Sequence, residues 1–129
     1  MKKIASTFTL SLLVAASVHA QSVRTEKNMS LDLANQIASS AVATCAANGY
    51  AVAATVVDRA GSVRAVQRAD NAGAHTLAAS QQKAFTSASA KNNTLAMMEG
   101  AQKNPAAANL VYIPGFLLLG GGVPVRVGN

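Results

Sequence analysis

Chemistry in this chain would have to come from very few groups: two histidines, His19 and His75, and one cysteine, Cys45, in 129 residues. A metal site built from protein alone needs three or four such ligands at close spacing. The sequence has no C-x-x-C, no C-x-x-C-H and no histidine pair at ligand spacing, which excludes structural zinc and covalently attached c-type haem. Nucleophilic catalysis fares no better, because no G-x-S-x-G turn is present. A Ser-His-Asp set can be drawn only by joining His75 to arbitrary partners. The five acidic residues form no paired-carboxylate constellation. Gly120-Gly121-Gly122 runs into Val-Pro-Val rather than Lys-Ser/Thr and a helix, so it reads as a tight turn or close packing and not as a phosphate loop. Cys45 lies among Ala and Thr on a helical stripe and reads as a buried, inert thiol. That leaves His75. It is either a surface or helix-capping histidine or an axial ligand for haem iron, which takes His, Tyr, Met or Cys; these residues alone leave both open.

The N-terminus decides which histidine is available. Lys2 and Lys3 precede an apolar run from Ile4 to Val18, which closes on Val18-His19-Ala20. A basic start, a short apolar stretch and a small-residue end make a secretory signal peptide over residues 1–20. The run is shorter than the roughly 20 apolar residues of a membrane span. Cleavage after Ala20 removes His19 and places a single domain, residues 21–129, in the periplasm or outside the cell. The mature chain keeps nine basic and five acidic residues, a net charge of +4. These charges are scattered and lack aromatic partners, which argues against nucleic acid. Only Tyr50, Phe85, Tyr112 and Phe116 remain as aromatics. An Ala-rich core in so small a domain buries little area, so a homo-oligomer is expected to supply the rest.

Ser30 is placed to cap a helix with Asp32 in its first turn. Ala34, Ile37, Ala38, Ala41, Val42 and Cys45 follow helical spacing up to Gly49. Tyr50–Val57 reads as a buried strand, Asp58–Gly61 as a turn and Ser62–Arg68 as the returning strand. Ala74–Asn92 reads as a second helix. Leu77, Gln81, Ala84, Phe85 and Ala88 lie on its presumed core side, with His75, Ala79, Gln82 and Thr86 roughly opposite. Thr94–Lys103 is a third helix, stopped by Asn104-Pro105. Leu110–Ile113, Phe116–Leu119 and Val123–Arg126 read as strands. The order predicts an α/β (α+β) domain with an antiparallel sheet flanked by helices.

From Leu31 to Arg126 the chain resembles the GlcG/HbpS-type haem-binding family. The matching pieces are Leu31–Asn35, Val56–Gly61, Arg68–Asp70, Ala72–Thr76, Lys83–Thr86, and Pro114-Gly115 through Gly121–Val125. The resemblance implies a profilin-like α/β/α sandwich around a central antiparallel sheet, homo-oligomers, and non-covalent b-type haem. His75 falls where the family has a Gly-Pro-His-Thr segment, with Ala74 in place of the common Pro. Family members continue past Gly-Gly-Val-Pro-Val-Arg into a further strand and helix, so a C-terminally truncated version of the fold is expected.

On this footing the chain reads as an exported haem-binding protein for sensing, scavenging or storage. His75 is the expected iron ligand; Tyr112, Met97 and Met98 are further candidate donors; Arg64, Arg68 and Lys83 are candidates to pair with propionates. The alternative is an oligomeric scaffold or small-ligand sensor of the same fold without haem. An enzyme acting on a small organic acid has the least support.

Overall fold

A computed structural model describes residues 24–128. The leader expected over residues 1–20 lies outside the described residues. Helix α1 spans Leu31–Ala47. Its start is set by Ser30, whose hydroxyl accepts from the Leu33 backbone N–H at 3.2 Å, satisfying one of the donors a helix leaves open. Its end is set by Gly49 at φ +81°, with the Gly49 N–H returning to the Ala46 carbonyl at 3.0 Å.

Strands β1 (Ala53–Val57) and β2 (Val63–Arg68) pair antiparallel, with Thr55 opposite Val66 and Val56 opposite Ala65. The turn between them is built by Asp58. Its Oδ1 accepts from the N–H groups of Ala60 and Ser62 at 2.9 and 3.0 Å, while Gly61 takes φ +83°. Alternation along β1 then assigns the layers. Val56 and Ala65 face α1 and bury with Ala34 and Ala38, flanked by Met29, Ile37 and Ala54. Thr55 faces the other way and shares a 2.7 Å hydrogen bond with Ser80 on helix α2 (His75–Ala90). Helices therefore cover both faces of the hairpin, the expected α/β/α order in an α+β fold. Alanines at the α1 contact let the helix approach the sheet closely, at the cost of little apolar area buried per residue.

Helix α3 occupies Thr94–Lys103, the range expected from its stop at Asn104-Pro105. Beyond it the sequence expectation needs correcting. Pro105–Ala108 forms a short helix, α4, and Asn109–Tyr112 a 3-10 turn, so Leu110–Ile113 is not a strand. Asn104 ends α3 but also caps α4, accepting from the Ala106 N–H at 3.0 Å, and Pro105 is pre-set for a first helical position. Phe116–Leu119 and Val123–Arg126 join no ladder: among the described residues the sheet has two strands. Helix hydroxyls hold the first of these runs instead. Leu117 N–H donates to Thr86 Oγ1 at 2.8 Å, and Thr94 Oγ1 donates to the Leu119 carbonyl at 2.7 Å.

These hydroxyls also overturn the expected faces of α2. Thr86 and Ser87 are its fully buried residues, whereas Leu77 is exposed. A threonine whose hydroxyl bonds backbone groups can be buried without penalty. No helix among the described residues is long and apolar enough to cross a membrane.

Candidate functional site

The loop Ala69–Ala74 carries the chain from β2 into α2 and delivers His75 as the first helical residue, exposed to solvent. Ala74, before it, offers no side-chain cap. The helix start is held instead from within the loop and by Thr76. The Thr76 N–H and hydroxyl both donate to the Gly73 carbonyl, at 3.0 and 2.7 Å. Ala72 is buried at 3% exposure. Its carbonyl accepts from Arg68 Nε at 3.0 Å and also from Arg68 Nη2.

The other expected site residues are dispersed. Arg64 is exposed on β2, at the break in register between the Val56–Ala65 and Val57–Val63 pairs. Lys83 is half-buried two turns into α2, and its ammonium donates to the Gly120 carbonyl at 3.2 Å. Tyr112 ends the 3-10 turn at 81% exposure. Met97 and Met98 are half-buried on α3.

A groove of about 360 Å³ opens beside α2, lined by Ala78, Gln81, Gln82 and Phe85 and closed by Gly61 and the Pro114-Gly115 turn. None of the expected site residues lines it. Its floor is the Phe85 ring, edge-on to Phe116 with centroids 6.1 Å apart. The floor can form because Gly61 and Gly115 lack side chains: a Cβ would lie 2.7 and 3.2 Å from that ring. His75, Ala78 and Gln82 follow i, i+3, i+7 spacing, so His75 begins the helix stripe that enters the groove, about 10 Å along the axis from Gln82. The sequence signals for the groove were weak. Gly61 read as a turn glycine, Gln81 as part of the core side of the second helix and Gln82 as part of the stripe opposite, whereas both glutamines line the groove.

Among the described residues no group of three or more His, Cys, Asp or Glu side chains could hold a metal ion. Haem iron, held by its macrocycle, asks of a protein only an axial donor, and the exposed imidazole of His75 is of that type.

A family profile described as "Haem degrading protein HbpS-like" matches residues 29–129. The crystal structure of HbpS is similar at 33% identity and a TM-score of 0.74, over 81% of this chain and 72% of that one. A double mutant of HbpS from Streptomyces reticuli is similar at 34% identity and a TM-score of 0.75, over 88% and 77%. Protein ORFY of Klebsiella pneumoniae is similar at 26% identity and a TM-score of 0.76, over 81% and 74%. No curated protein matches the chain.

Proposed function

Since the chain belongs to the HbpS-like family, we propose that it is an exported protein that binds haem non-covalently, with His75 as the axial donor. The observation that carries this reading is the exposed imidazole at the start of α2, heading the helix stripe that enters the groove. Bound haem would supply the iron and its redox chemistry; the chain supplies one nitrogen, a surface to lie on and charge for the propionates.

Arg64 is the better placed cation for that last task, being exposed on β2. Arg68 is engaged with the Ala72 carbonyl, and Lys83 with that of Gly120. The groove is open and sits near the lower end of ligand-pocket sizes, so it covers an edge of a macrocycle rather than enclosing it. A second copy of the chain would complete the enclosure and cover exposed apolar residues such as Tyr50, Tyr112 and Val127. Export is the proposal of residues 1–20, checked by cell fractionation and by sequencing for a mature terminus at Gln21.

Hemin titration of the purified protein tests the central reading. The expected result is a saturable Soret shift that weakens at least about tenfold, equivalent to about 1.4 kcal/mol, in His75→Ala. No saturable shift, or one indifferent to His75→Ala, refutes it. The groove itself favours one second reading: a small-ligand sensor without haem, its ligand seated between Gln82 and Phe85. That reading expects an organic ligand to be recovered by native mass spectrometry and its retention to depend on Gln82 rather than His75.

A further inference from the structure

We infer that Arg68 and Gly73 are positioning residues that hold the His75 ring on the loop and turn its Nε2 outward. The inference rests on the haem reading for its purpose but on the loop for its geometry. A histidine at the first position of an uncapped helix would ordinarily sample several rotamers. Here the loop beneath it is tied down. Arg68 grips the Ala72 carbonyl with two of its N–H groups, the Ala72 N–H returns to the Ala69 carbonyl at 3.0 Å, and Thr76 takes the Gly73 carbonyl. The imidazole folds back over Gly73. A Cβ at Gly73 would stand 2.8 Å from Cε1 and 2.9 Å from Nδ1, but 3.9 Å from Nε2. The Nδ1–Cε1 edge therefore faces the loop, and Nε2 is the nitrogen left for a ligand.

Two features make this separable from general stability and from charge. Gly73 is not among the glycines with positive φ, so an alanine there is compatible with the backbone, and only the His75 ring obstructs it. Such a Gly→Ala change reduces the freedom of the unfolded chain and does not by itself destabilise. Arg68→Lys retains the positive charge but loses the planar two-point grip. A propionate partner would tolerate that exchange; a loop clamp would not.

The test compares wild type, Gly73→Ala and Arg68→Lys as full-length proteins by three measurements. These are thermal melting, the imidazole resonances of apo His75 (identified by their loss in His75→Gln), and hemin titration. The expected result is a Gly73→Ala protein that melts within a few degrees of wild type, shows shifted His75 ring resonances, and binds hemin at least fivefold more weakly. Arg68→Lys should move the same resonances and the same affinity. Ring resonances unchanged in both variants overturn the inference. If wild type binds no hemin, the haem reading falls alone, and the apo resonances still decide the positioning claim. If Gly73→Ala fails to fold, Arg68→Lys decides it.

Discussion

Replacing Thr94 by Val should loosen the C-terminal segment far more than its small change in shape suggests. Thr94 is fully buried at the first position of α3. Its hydroxyl donates to the Leu119 carbonyl at 2.7 Å and accepts from the Gly122 N–H at 2.8 Å, while its own N–H donates to the Gly122 carbonyl at 3.0 Å. Valine keeps the volume and removes the hydroxyl. Leu119 is half exposed, and the loss at its part-buried carbonyl is taken as an ordinary hydrogen bond of about 1 kcal/mol. Gly122 is buried, so its stranded N–H costs about 1–3 kcal/mol more. The sum, about 2–4 kcal/mol, is a large part of the roughly 5–15 kcal/mol that holds a domain together. It corresponds to a melting temperature lower by roughly 10–25 °C. Thr94→Ser retains the hydroxyl and gives up one methyl, about 1 kcal/mol. Urea denaturation followed by circular dichroism ranks the variants. If Thr94→Val is as stable as Thr94→Ser, the hydroxyl is not the pin, and the account of how residues 116–122 are held is wrong.

Two glycines allow a matched comparison. Gly49 and Gly61 have φ of +81° and +83°, but a Cβ at Gly49 meets nothing within 4 Å, whereas one at Gly61 meets Phe85 at 2.7 Å. Gly49→Ala should cost only the left-handed penalty, about 1–2 kcal/mol. Gly61→Ala should cost more in the same denaturation assay, and equal losses would mean that the Phe85 ring yields freely. Ser30→Ala removes the acceptor for Leu33 N–H and should cost about 1 kcal/mol, read as a lower urea midpoint; an unchanged midpoint would show that water caps α1 equally well.

Much of the frame is legible in local sequence because it rests on local chemistry. Ser30 and Gly49 bracket α1 through the hydroxyl acceptor and positive φ that such positions require. Asp58 and Gly61 make the hairpin turn for the same kind of reason. Asn104-Pro105 marks the end of α3, although the same pair also opens α4. Short apolar runs carry no such punctuation. Leu110–Ile113 has strand-like composition, yet Leu110–Tyr112 falls in the 3-10 turn Asn109–Tyr112 that follows α4, a choice that periodicity over four residues cannot make.

What the sequence determined by itself is therefore the frame through α3: helix α1, the β1–β2 hairpin, and helix α2 with His75 at its head. The tertiary structure decided the rest. It buried Thr86, Ser87 and Thr94 because each hydroxyl finds a backbone partner far along the chain or a turn away, something a hydrophobic pattern cannot register. It assigned Arg68 to the Ala72 carbonyl and Lys83 to that of Gly120, where residue type alone suggested free cations. It turned the imidazole of His75 against Gly73. Local propensity fixes where a helix begins; which nitrogen its first side chain presents depends on what the preceding loop packs beneath it.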